Sequence, residues 1–152
     1  MKIVMGIDDS PHSRAALDWA KQMQWLPGTR FVLVSAVPSE VMPFALRVPG
    51  GAFVEPELDD GRIRAHQDLL ARAEKEFQAA RLDTTALITH GDPREVIVRT
   101  AERENADLVI VGSHGRTGVP KLLMGSVASH VVTHAPCTVL VIKRPPEASP
   151  RG

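Results

Sequence analysis

The residues of this 152-residue chain best suited to chemistry gather in one stretch, GSHGRTGVPKLLMGSVASHVV. In it Gly112 is followed by Gly115 and then by Gly125-Ser126, the pattern G-x2-G-x9-G-S. Phosphate binding gives each element a role. Gly112 ends an apolar strand, and Gly115 lets backbone N–H groups approach an anion with no Cβ in the way. Gly125-Ser126 opens a helix whose first N–H groups and dipole favour negative charge, with the Ser126 hydroxyl as a further donor. The same glycines would also serve as tight turns between strand and helix, and the residues by themselves leave both readings open.

Other combinations are weaker. Ser113, His114 and Asp8 have the residue types of a hydrolase triad, but side chains adjacent on a loop are expected not to face each other, and no G-x-S-x-G elbow occurs. His130 and His134 stand four apart, yet Val131 occupies the position where a zincin carries glutamate, so they read as a solvated or capping pair. His90 reads as a packing or capping residue, and His12 and His66 as helix-surface residues. Cys137 precedes an apolar strand, where an inert thiol is expected, with a redox role as the weaker alternative. Trp19 and Trp25 fall in the first helical stretch, where packing explains them better than base stacking. No G-x4-G-K-[ST] occurs, which excludes a P-loop NTPase.

The elements that must position these groups alternate regularly. Lys2–Asp8, Phe31–Val37, Thr84–His90, Asp107–Gly112 and Thr138–Lys143 read as five strands, and DLVIVG is apolar without alternation, as a strand covered on both faces should be. Helices are expected from Pro11 to Trp25, from Asp59 to about Arg81, from Pro93 to about Glu104 and from Gly125 to about His134. Ser10 before Pro11 and Asp92 before Pro93 are start signals. Residues 38–58 contain Pro38, Pro43, Pro49, Pro56 and Gly50-Gly51 and read as a long loop. Its apolar Val41, Met42, Phe44, Leu46, Phe53 and Val54 suggest either a nucleotide-dependent flap or packing on the domain's own surface. Residues 145–152 read as a disordered tail, leaving one domain over 1–144. Strand–helix alternation implies parallel βαβ units, hence an open doubly wound α/β sheet with a ligand beyond the carboxyl ends of its strands.

Composition excludes several functions. Eighteen Lys+Arg balance eighteen Asp+Glu, so there is no basic footprint for nucleic acid or anionic membrane. The apolar runs fall short of the roughly 20 residues of a membrane helix. MKIVMGID lacks the apolar core of a secretory signal, and one cysteine allows no internal disulfide, so a cytoplasmic protein is expected.

GSHG followed at this spacing by GSVASHVVTHAPCTVLVIK resembles the universal stress protein family in its ATP-binding subgroup. The resemblance extends to IVMGIDDSPHSRAALDWA and HGDPREVIVRTAERENADLVIVG, with only 38–58 lacking a counterpart. It implies a five-stranded Rossmann-like sheet of order 3-2-1-4-5, of the adenine nucleotide alpha hydrolase type, with ATP across strands one and four. By position, Asp8 matches the acidic residue near the ribose and any Mg²⁺, with Gly6 and Ile7 before it. Ala36 matches the residue whose backbone meets the adenine edge. Gly112, Ser113, His114, Gly115 and Arg116 match the phosphate loop, closed by Gly125, Ser126 and Val127. Asp9 stands where the family often has glycine and reads as helix capping with Ser10, or as a second carboxylate for Mg²⁺. The implied function is a nucleotide-dependent stress sensor or regulator with an unidentified protein partner, homodimeric through residues 138–143. The alternatives are a slow Mg²⁺-dependent ATPase or phosphoryl-transfer enzyme, and a partner-binding module with a structural nucleotide.

Overall fold

The computed structural model describes residues 1–38, 60–115 and 124–144. Expectations for the loop beyond Pro38, for Arg116 and for the tail from 145 lie outside the described residues. Along the chain run β1 (Lys2–Gly6), α1 (Pro11–Gln22), β2 (Arg30–Val37), α2 (Asp60–Ala79), β3 (Asp83–His90), α3 (Pro93–Arg103), β4 (Leu108–Gly112), α4 (Ser126–His134) and β5 (Thr138–Ile142). The strands form one sheet in the order β3-β2-β1-β4-β5, every neighbouring pair parallel. This is the expected α/β architecture.

Strand periodicity divides the apolar residues between two cores. Ile3 and Met5 of β1, Phe31 and Leu33 of β2 and Ile110 of β4 join Leu17 of α1 and Phe77 of α2 on one face. Val4, Val32, Val34, Val109 and Val111 alternate with them and meet Ile97 of α3 and Val131 of α4 on the other. Central strands buried on both faces need no polar alternation, which is why β1 and β4 read as unbroken apolar runs.

The helix starts follow the sequence signals. Ser10 Oγ accepts from Ser13 N at 3.1 Å, and an Asp92 carboxylate oxygen accepts from Arg94 N at 2.9 Å, with proline at each first helical position. Most boundaries shift from expectation by one to three residues, the ends of β1 and α1 among them. β1 ends at Gly6, although Ile7 N still donates to Val34 O at 2.9 Å. α1 ends at Gln22 rather than Trp25, because Met23 turns to extended backbone. The indole of Trp25 then donates to Ala20 O at 2.8 Å and packs edge-on against Trp19 and Phe31, with centroids 6.0 and 5.4 Å away. A half-buried indole N–H favours an acceptor, and folding back over the helix end supplies one.

A charged cluster ties α1 to α2. Arg14 bridges Glu76 at 2.7 Å and Asp18 at 2.8 Å, and Lys21 joins both carboxylates. Hydrogen bonding from Arg14, reinforced by Lys21, holds the Glu76 carboxyl at about 2 against the ordinary 4.5. A depressed carboxyl pKa stabilises the fold above its unfolded value, and that contribution is lost as pH falls through the folded one. Partly exposed pairs of this kind contribute about 0.2–1 kcal/mol each. Glu76→Gln is therefore expected to lower stability by about 1 kcal/mol at neutral pH and low salt. In urea titrations across pH, the gap from wild type should close between 4.5 and about 2.

Candidate functional site

β1 and β4 are neighbours at the centre of the sheet, but their chains leave it on opposite faces, β1 into α1 and β4 toward α4. Divergence of this kind opens a crevice beyond the strand ends. Here it is a hollow of about 360 Å³. On the β2 side it is lined by Gly6, Ile7, Val34, Ala36 and Pro38, and on the β4 side by Asp8, Gly112, His114 and Gly115 facing Gly125, Ser126 and Val127. Ser113 is buried beneath it at 2% exposure. Of the nucleotide-site residues expected from the resemblance, only Arg116 lies outside the described residues.

The glycines allow close approach, and none of Gly112, Gly115 or Gly125 has the positive φ of a left-handed turn. A Cβ on Gly112 would stand 2.7 Å from the backbone carbon of His12, so the end of β4 touches the first turn of α1. One on Gly125 would stand 3.1 Å from His114 Cα, where Gly125 N donates to Ser113 O at 2.7 Å. One on Gly115 would meet Asp8 Oδ2 at 3.1 Å. The glycines draw three backbones together, and the hollow lies between them. α4 begins at Gly125 with no side-chain cap, whereas α1 and α3 have one.

Side-chain bonds stitch the β1 and β4 ends together. Asp8 N donates to Ser13 Oγ at 3.0 Å, and Asp8 Oδ1 accepts from Ser10 N at 2.9 Å. The capping oxygen of α1 belongs to Ser10, which also reaches His114 O at 3.4 Å, while Asp9 is exposed.

The histidines depart most from expectation. Ser113 Oγ lies 3.1 Å from His114 Nδ1 and 3.2 Å from His12 Nδ1, so the adjacent Ser113 and His114 side chains do meet. A hydroxyl has one proton, so at least one of these rings donates its own N–H. Burial, with the charges of His114 and Arg144, lowers the His12 pKa against the opposing pull of Asp8, which favours its neutral form. His12, expected on the helix surface, is half-buried and contacts Ser113 and His114 at the end of β4.

His66 was likewise read as a surface residue, yet it lines the hollow, with Nδ1 2.8 Å from Ser35 Oγ. Only the docking of α2 against β2 brings it there, which no local pattern announces. His130 and His134 stay off the hollow and stack at 4.0 Å, His130 pairing with Glu95 at 3.0 Å. Burial pushes the Cys137 thiol up, away from a reactive thiolate.

These contacts separate two glycines that look equivalent in sequence. Gly112→Ala must displace backbone and is expected to cost about 1–3 kcal/mol, a fall of several degrees in Tm. Among the described residues a Cβ on Gly115 meets a carboxylate oxygen, and Gly115→Ala should leave Tm nearly unchanged in thermal melts.

The sequence pattern of the universal stress protein family matches residues 1–143. A universal stress protein of Thermus aquaticus, encoded in the QAH/OAS sulfhydrylase 3'region, is 33% identical over 141 residues, covering 93% of this chain and 97% of that protein. The solved structure of MJ0577, from Methanocaldococcus jannaschii, superposes with a TM-score of 0.81 at 28% identity, covering 96% of this chain and 97% of that one. An Arabidopsis thaliana family member solved with AMP bound shares the fold, with a TM-score of 0.66 at 23% identity over 99% of this chain and 96% of that one. With a parallel 3-2-1-4-5 sheet and a family match over nearly its whole length, the chain belongs to the universal stress protein family.

Proposed function

We propose that this protein binds ATP with Mg²⁺ in the hollow beyond β1 and β4 and acts in the cytoplasm as a nucleotide-dependent stress sensor or regulator. The observation that carries this reading is the start of α4, which faces the Gly112–Gly115 loop across the hollow with no side-chain cap. The first N–H groups of the helix and the Ser126 hydroxyl are donors suited to phosphate oxygens. On the β2 side, Gly6, Ile7, Ala36 and Pro38 offer a mostly apolar wall to a flat base. The AMP-bound relative supports a nucleotide as the class of ligand.

Asp8 would hold the metal. Mg²⁺ is commonly bound by one or two carboxylates together with phosphates and waters. Among the described residues no group of three or more His, Cys, Asp or Glu could hold a metal alone, so the phosphates would have to complete its shell. Arg116, directly after Gly115, is the cation that the family resemblance assigns to the phosphate loop. Without a P-loop lysine the site is better suited to binding than to rapid phosphoryl transfer.

Calorimetry with ATP and Mg²⁺ tests the reading. Gly115→Val should weaken binding at least about tenfold by crowding Asp8 and the phosphate path, a loss of about 1.4 kcal/mol. Asp8→Ala should remove the Mg²⁺ dependence, and any slow ATP turnover should disappear with it. Unchanged affinity in folded Gly115→Val would overturn the assignment.

We also propose a homodimer through residues 138–143. β5 lies at the sheet edge, and Val139, Leu140, Val141 and Ile142 remain half-buried. An apolar edge strand can pair with its two-fold copy. Sedimentation should give twice the 16.5 kDa chain mass, and Val141→Pro should shift it toward monomer. A strictly monomeric wild type at micromolar concentration would contradict this.

A further inference from the structure

Ser113 is buried beneath the hollow rather than lining it, and its polar groups reach three different elements. Its N donates to Ile142 O of β5 at 2.8 Å, and its O accepts from Gly125 N at the start of α4 at 2.7 Å. Its Oγ lies 3.2 Å from Nδ1 of His12 in α1 and 3.1 Å from Nδ1 of the adjacent His114.

The two backbone bonds hold the loop to β5 and α4 and do not depend on the side chain. The tie to α1 belongs to the hydroxyl, which can donate to the His12 ring or accept from it and so serves either tautomer of that ring. Ser10 Oγ reaches His114 O at 3.4 Å, too long to hold the loop by itself. The Ser113–His12 bond therefore spans the divergence of β1 and β4, joining the half of the crevice that carries the loop and α4 to the half that carries Asp8. His114 and Gly115, which follow Ser113, line the hollow, and a Cβ on Gly115 would already meet Asp8 Oδ2 at 3.1 Å.

We infer that Ser113 is a positioning residue for the phosphate end of the hollow: by bonding His12 it sets the loop and the start of α4 at the separation from Asp8 that a phosphate chain and its metal require, without touching the nucleotide. The inference rests on the nucleotide reading above. Its effect is selective, because a bond made before the ligand arrives lowers the ordering cost of the contacts it supports. Ile7, Val34, Ala36 and Pro38, the wall offered to the base, lie on the β2 side, so a loosened loop should cost ATP its phosphate contacts and leave adenosine its base contacts.

Calorimetry with ATP and Mg²⁺, and separately with adenosine, reads this as a ratio of affinities. Ser113→Ala and His12→Ala should each lower the ATP-over-adenosine ratio about tenfold. The double variant should do no worse than either single one, since all three lack the same bond. His12→Asn, whose amide can stand in the place of Nδ1, should recover most of the ratio. If Ser113→Ala does not fold, His12→Ala and His12→Asn decide by the same measurement. An unchanged ratio in the folded variants, an equal loss of ATP and adenosine, additive losses in the double variant, or no recovery in His12→Asn would overturn the inference while leaving nucleotide binding intact. A wild type that binds neither ligand, or both equally, would overturn the nucleotide reading and this inference with it.

Discussion

The contact on which the rest of the structure depends is the approach of the β4 end to the first turn of α1, where Gly112 sits against the backbone of His12 with no room for a Cβ. β1 and β4 are hydrogen-bonded partners, yet their chains must leave the sheet on opposite faces. Two backbones that separate so sharply can stay close only where the side chain is hydrogen. Given that contact, Gly125 can lie on Ser113 and His114, and the Asp8 carboxylate can reach Gly115. The hollow is the volume left among these constrained backbones.

The buried hydroxyls around it are bonded before any ligand arrives. Ser10, Ser13, Ser35 and Ser113 are buried hydroxyls, and each is engaged in bonds that cross between elements. Small hydroxyls suit this position because each can donate and accept within a tight space, and an unsatisfied one would cost about 1–3 kcal/mol. The result is a rim held by short side chains, with the longer His12, His66 and His114 arranged around it. Rigid placement of this kind reduces the ordering cost of binding.

Several features were legible in the chain before folding. Unbroken apolar runs at Ile3–Met5 and Val109–Val111 report strands covered on both faces, and alternation with helices implies a parallel sheet. Ser10-Pro11 and Asp92-Pro93 mark helix starts because a side-chain acceptor and a residue lacking an N–H both answer the orphan donors there. The spacing of Gly112, Gly115 and Gly125 marks the loop for the same local reason: a missing side chain is visible in sequence wherever it falls.

What the sequence determined by itself was therefore whatever depends on neighbours along the chain: the order and type of the elements, their caps and the glycine loop at the sheet's carboxyl edge. Tertiary structure decided what depends on distant partners. Trp25 leaves its helix because Ala20 O and Phe31 offer its indole a better environment. Ser113 meets His12 across 101 positions of sequence, and His66 reaches Ser35 across 31. Helical periodicity tells which face of α2 is apolar but not which strand end lies beneath it, so the role of a half-buried histidine on that helix appears only once the helix is docked.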